Sequence, residues 1–245
     1  MSARFPRKYR LLLDGFVFIK YNNRMTRGIF LAGNESALSR AVEAEIIKRV
    51  KQFTAALIPN RLSGALKNAP LEMKERLFID WNPSSPISAR TLVLAAENRL
   101  EHINEAILIC SPPSIRSSAS QLPLSDVEIM INDHVKGWFF LVKEIAKVFT
   151  ERKSGTLALV YTDIAVSGKD ETADVLGPSA LSSFRALTSG LLSSAHIEPY
   201  ITIGFSTTDA GNETAFASFI FKNIDEATNR TKGKLFKFGR FSFFK

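Results

Sequence analysis

The 245-residue chain has a single cysteine, Cys110, and only three histidines, His102, His134 and His196, far apart in sequence. One cysteine excludes an internal disulfide, and the scattered histidines offer no cluster of metal ligands. A reducing cytoplasm is the expected compartment. No apolar run approaches the roughly 20 residues that a membrane-spanning helix needs. The N-terminus imitates a signal peptide briefly, with Arg4, Arg7, Lys8 and Arg10 ahead of an apolar stretch from Leu11 to Ile19. Asp14 interrupts that stretch, Lys20 ends it, and no small-residue cleavage site follows, so export is not expected. A Gly/Ser/Pro-rich linker and an internal repeat are also missing. With 45% hydrophobic and 23% charged residues, the chain has the composition of one α/β domain with a large core.

The charge is lopsided: 32 Lys and Arg against 24 Asp and Glu, a formal +8. Much of the excess lies at the two ends, in Arg4 to Arg10, Arg24 and Arg27, and again from Arg230 to Lys245. Such a balance favours anionic partners, nucleic acid or acidic lipid among them. No recognisable nucleic-acid module accompanies it, so a solvated basic surface is the plainer reading.

Apolar runs alternate with helical spacing along the chain. Gly28 to Ala32 reads as a strand ending at Gly33, and Ser36 to Val50 as a helix with Leu38, Val42, Ile46 and Val50 inward. Phe53 to Ile58 and Arg76 to Trp81 are the next strands. The breaker cluster Asn82 to Ser88 precedes a helix through Arg90 to Leu100. Ala106 to Ile109 is a fourth strand, followed by one long helix from about Leu124 to Arg152, with Ser125 as its N-cap. Thr156 to Tyr161, a helix over Pro178 to Ala195, Tyr200 to Phe205, a helix over Ala215 to Ile224 and a strand over Lys234 to Phe238 complete the order. Strands apolar without alternation are covered on both faces, which predicts a doubly wound parallel sheet flanked by helices, a Rossmann-type fold. Ligands then bind beyond the carboxyl ends of the strands, near Gly33 to Ser39, Ser111 to Ser114, Thr162 to Ser167 and Gly204 to Asp209.

Several segments carry a family likeness. GIFLAGNESALSRAVEAEIIK (Gly28 to Lys48) resembles the strand, TGxxxGxG turn and helix that open a short-chain dehydrogenase/reductase. ILICSPP (Ile107 to Pro113) resembles that family's strand ending in Asn-Asn-Ala-Gly, and INDHVKGWFFLVKEI (Ile131 to Ile145) its asparagine-bearing helix. GTLALVYTD (Gly155 to Asp163) resembles the strand that ends in the catalytic serine. LGPSALSSFRALTSGLLSSA (Leu176 to Ala195) resembles the helix of YxxxK. The likeness covers Arg27 to Gly239 and rests on element order more than on intact motifs. It implies a basic extension over residues 1–27, a Rossmann-fold domain over 28–239 and a short tail over 240–245.

The resemblance assigns roles position by position. In the first turn Gly33 is kept, but Ala37 and Ser39 replace the other two glycines and add bulk where a dinucleotide phosphate would lie. Asn34, Ser36 and Ser39 remain as hydrogen-bond donors to a phosphate. Arg61 would suit an adenosine 2′-phosphate, hence NADP, and Asp80 matches the aspartate that contacts adenine. Gly33 is equally a simple turn residue, Arg61 a surface cation and Asp80 a strand-end cap. Hydride transfer to a carbonyl needs an acid/base group, which the family supplies as a tyrosine beside a lysine one helical turn later. Leu176 and Ala180 stand at those positions, and neither transfers a proton. Thr162 falls at the serine and Asn132 at the asparagine of the supporting network, although Asn132 is as readily a core amide bridging helix and sheet. Tyr161 and Thr162 point to opposite faces of their strand, so only one meets the site. Asp163 and Lys169 lie on the following loop, and Cys110 reads as a buried, inert thiol.

The expectation is a non-catalytic short-chain-dehydrogenase-like protein with no cofactor and a structural, regulatory or ligand-sensing role. Its alternative is a divergent oxidoreductase using NADP or NAD on a carbonyl or hydroxyl substrate. A third reading is a basic module that binds nucleic acid or anionic lipid. The family likeness implies a homodimer or homotetramer, with the Phe-rich tail LFKFGRFSFFK packed against a partner subunit. A partner of another kind would be a protein.

Overall fold

The computed structural model describes residues 27–50, 53–57, 76–163, 174–209 and 211–239. Their strands are β1 (Ile29–Gly33), β2 (Phe53–Leu57), β3 (Arg76–Phe78), β4 (Glu105–Cys110), β5 (Thr156–Thr162), β6 (Ile201–Thr207) and β7 (Leu235–Phe238). All pair in parallel, in the order β3-β2-β1-β4-β5-β6-β7. The helices are α1 (Ala37–Arg49), α2 (Pro86–Leu100), α3 (Leu124–Ile131), α4 (Gly137–Arg152), α5 (Leu176–Ser194) and α6 (Glu213–Asp225). This is the doubly wound α/β sheet that the alternation of elements predicts. Its winding reverses between β1 and β4, and the crevice above that point is where such sheets hold ligands.

Strand alternation sorts the core into two layers. Phe30, Leu108, Leu159 and Tyr161 face α2, α4 and α5. Ile29, Leu31, Ile109, Val160 and Phe205 face α1 and α6, where Leu38, Val42, Ile46, Phe216, Ile220 and Phe221 meet them. Each such burial contributes roughly 1.5–3 kcal/mol relative to exposure. Phe236 stacks on Phe205 at 5.5 Å and Phe238 on Phe216 at 5.4 Å. These two tail aromatics pack on their own chain while remaining partly exposed; residues 240–245 lie outside those described.

Element ends differ from the sequence reading for local reasons. The helix expected from Arg90 begins at Pro86, because Ser85 caps it by accepting the Ser88 N–H at 3.3 Å and proline is preformed for a first helical turn. The breaker cluster is thus a cap and a start signal. The α3 helix is entered from Pro123 rather than capped by Ser125: the Pro123 carbonyl accepts the Asp126 and Val127 N–H groups. The expected single helix to Arg152 is interrupted by a π-turn, Asn132–Lys136, in which the Gly137 N–H reaches back to the Asn132 carbonyl. Arg27, counted with the basic extension in the sequence, is tied into the domain by Glu105 and Asp225.

Candidate functional site

A cavity of about 380 Å³ opens at the carboxyl ends of β4 and β5 against the first turns of α5. Cys110, Ser111 and Pro112 come from the end of β4, Thr162 and Asp163 from the end of β5, and Gly177, Pro178, Leu181, Ser182 and Arg185 from α5. The register sets Cys110 beside Tyr161, which levels these two strand ends. The Arg185 Nη1 lies 3.1 Å from Asp163 Oδ1. The Asp163 N–H donates to the Thr207 carbonyl at 2.6 Å, which ties the end of β5 to the end of β6.

The start of α5 is built without a side-chain cap at Val175. Asp174 supplies it instead, its Oδ1 accepting the Gly177 N–H at 3.0 Å, a favourable place for a carboxylate at a helix N-terminus. The Asp174 backbone also bridges to Arg116 in the loop after β4. A Cβ at Gly177 would stand 2.6 Å from Asp174 Oδ2 and 3.1 Å from the Pro113 carbonyl. A side chain there would push the Asp174 carboxylate aside.

Leu176 and Ala180 turn away from this cavity, packing with Met130 and against Ile115 and Val135 in a small apolar cluster under the π-turn. The residues one position further along, Gly177 and Leu181, form the pair a helical turn apart that faces the cavity. Either pair lacks an ionisable group.

Thr162 lines the cavity. Tyr161, the neighbour of Thr162 on β5, packs 6.4 Å from the Phe184 ring of α5. Desolvation pushes this phenol above its usual range, against the lowering effect of the Arg185 charge. Asn132 does not reach the cavity; its Oδ1 accepts the Lys136 Nζ at 2.9 Å on the outer side of the π-turn. The π-turn aims Asp133 and His134 inward instead. His134 is 2% exposed, its Nδ1 has no partner, and desolvation pulls it down to about 4. Cys110 is buried, and desolvation drives its thiol up, with the Trp138 indole as its only polar neighbour of note.

At the β1 to α1 turn the hydroxyls serve the turn itself. Ser36 Oγ accepts the Ser39 N–H at 3.1 Å, and Ser39 Oγ donates to the Asn34 carbonyl at 2.6 Å. Ser39 is buried. Gly33 is required by close packing, since a Cβ there would lie 2.9 Å from the Ile109 carbonyl. Asn34 is buried with no partner for Oδ1. Asp80 is exposed, and Arg61 and Lys169 lie outside the described residues. Among the described residues no three His, Cys, Asp or Glu side chains converge to hold a metal ion, and no helix is long and apolar enough to cross a membrane.

No family model matches the sequence, and no curated protein matches it. Solved structures do. The NADH-dependent reductase A1-R′ complexed with NAD superposes with a TM-score of 0.68 at 9% identity, over 86% of this chain and 94% of that one. A short-chain dehydrogenase/reductase from Serratia marcescens gives 0.64 at 13% identity, over 87% and 95%. Levodione reductase gives 0.62 at 12% identity, over 86% and 95%. The chain has a short-chain-dehydrogenase/reductase-like fold.

Sequence reasoning reached Thr162, Asp163 and Cys110 but missed Arg185, Asp174, Gly177 and Leu181. The available signal was the i, i+4 spacing of Gly177, Leu181 and Arg185, which lays them on one helix face. His134 carried no signal, since only the π-turn sends it inward.

Proposed function

We propose that this chain is a non-catalytic member of the short-chain-dehydrogenase-like group, using the cavity at β4, β5 and α5 to sense a small ligand. The observation that carries this reading is the pair Gly177 and Leu181, which occupies the cavity-facing turn of α5 where a proton-transferring pair is needed. A Cβ at Gly177 would meet the Asp174 carboxylate and the Pro113 carbonyl. Tyr161 is not among the residues that line the cavity, its ring being packed on Phe184 instead.

The β1 to α1 turn does not fit a dinucleotide diphosphate. Ala37 and Ser39 add bulk, the Ser39 N–H is already capped, and the Ser39 hydroxyl is spent on Asn34. The chain therefore acts without NAD or NADP, and no chemical step is derived through them. The exposed apolar residues Leu124, Ile131 and Phe139 along α3 and α4 favour assembly as a homodimer or homotetramer. A cytoplasmic location accords with the free thiol.

The test is a calorimetric titration with NADPH and NADH at low and moderate salt, paired with a carbonyl-reduction assay. No salt-resistant binding and no turnover are expected. Micromolar binding that survives salt would favour the oxidoreductase reading, with NADP or NAD as cofactor and Thr162 as the retained polarising hydroxyl. Binding of nucleic acid or acidic vesicles that collapses as salt rises would favour the basic-module reading.

A further inference from the structure

We infer that the cavity takes a compact ligand with a carboxylate head and an apolar body, and that Asp163 stands in for this head on Arg185 when the ligand is absent. The inference rests on the ligand-sensing reading of the same cavity.

Three observations carry it. Arg185 is the cation among the cavity-lining residues, and a guanidinium matches the two oxygens of a carboxylate better than any other side chain does. Its guanidinium is held at the cavity wall by Asp163, Nη1 lying 3.1 Å from Oδ1. The head group is therefore preset before a ligand arrives, which lowers the ordering cost of binding. The remaining walls suit a short apolar body: Cys110, Pro112, Pro178 and Leu181 line the cavity, whose volume is at the small end for ligand sites.

The charges at the site explain why the pair is exchangeable. Asp174 is committed to the Gly177 N–H at the start of α5, so among the described residues Asp163 is the carboxylate that answers Arg185. That pair is half open to water, with side-chain exposures of 47% and 36%. Exposed pairs of this kind contribute little to stability. An incoming carboxylate exchanges one weak contact for a similar one while its body leaves water against Leu181 and Pro112. Net affinity then comes from the apolar body, and selectivity from Arg185.

The test uses benzoate as probe, with benzamide and benzyl alcohol as uncharged controls of similar shape, read by saturation-transfer NMR and by titration of the full-length protein at moderate salt. Benzoate is expected to bind and the controls to bind more weakly. Arg185→Gln should weaken benzoate by about ten- to a hundredfold, while Arg185→Lys keeps the charge, loses the fork and falls between. Asp163→Asn should tighten benzoate by about two- to fivefold by releasing Arg185. Both substitutions are at half-exposed positions, and an unchanged melting temperature confirms folding. Equal binding of benzoate and benzamide, indifference to Arg185→Gln, or no benzoate binding would each overturn the inference. None of these touches the non-catalytic reading, which falls only on nicotinamide-dependent turnover.

Discussion

Arg27 and Glu105, 78 residues apart in sequence, form a two-point ion pair: Arg27 Nε donates to Oε1 at 2.6 Å and Nη2 to Oε2 at 2.9 Å. The same Nη2 lies 2.7 Å from Asp225 Oδ1. Arg49 then links Asp225 to Glu45, which Lys48 and Ser218 also contact. The amino end of β1, the amino end of β4 and the carboxyl ends of α1 and α6 are tied together at the pole of the sheet opposite the cavity.

Removing one partner of this pair is expected to cost more than the pair itself is worth, because Glu105 is left buried and unpaired. Arg27→Ala should lower the unfolding free energy by about 2–3 kcal/mol, less than for a wholly buried pair since Arg27 is partly exposed. The double substitution Arg27→Met with Glu105→Leu should recover most of it. Urea unfolding of the wild type and these two variants checks this.

Acid should unfold the protein in part through His134. Desolvation holds its folded-state value at about 4, below its usual 6.5. Its contribution is fully present above 6.5 and is lost as pH falls from there toward 4, by up to about 3 kcal/mol. Glu105 works the other way: desolvation outweighs Arg27 and raises it, so its folded form gains relative stability as pH falls through its raised value. Melting temperatures of wild type and His134→Gln between pH 7 and 4 should converge at the acid end.

Cys110 should be silent toward alkylation in the folded state. It is buried at 1% exposure and its thiol is driven up by desolvation, which leaves almost no thiolate near neutrality. Iodoacetamide labelling followed by mass spectrometry should show modification only in denaturant. Rapid labelling under native conditions would argue for an open cavity floor and an activated thiol.

Installing a phenol and an ammonium on the cavity face of α5 should not create a reductase. Gly177→Tyr with Leu181→Lys forces a Cβ to within 2.6 Å of Asp174 Oδ2, which displaces the cap of α5. A loss of at least about 1 kcal/mol is expected from the cap alone, with more from overpacking. Thermal unfolding and a carbonyl-reduction assay on the double variant decide the matter.

Much of the sheet was legible because β1, β4, β5 and β6 are apolar on both faces, and a run such as Ala106 to Ile109 admits no other placement. Helix starts were harder. Pro86 and Ser85 read as breakers, although together they cap and begin a helix. The π-turn at Asn132 adds a residue to one turn without altering composition, so the inward and outward faces beyond it could not be phased from the spacing. That one shift sends Asn132 to Lys136 and His134 to the interior. At the start of α5, Leu176 and Ala180 pack in a small apolar cluster while Gly177 and Leu181 line the cavity. The ion pair of Arg185 with Asp163 joins a helix to a loop, and no local pattern announces such a contact.

The strand order has a consequence for how the chain comes into being. β1 is translated first of the seven yet lies in the middle of the sheet, with Gly33 registered against Ile109 of β4 on one side and Leu57 of β2 on the other. A ribosome must deliver the whole of β2, β3 and α2 before β1 acquires its second neighbour. Until then the nascent amino-terminal half carries an open, wholly apolar strand edge, the kind of surface that draws chaperones or aggregates. The closure of Arg27 onto Glu105 marks the end of that interval.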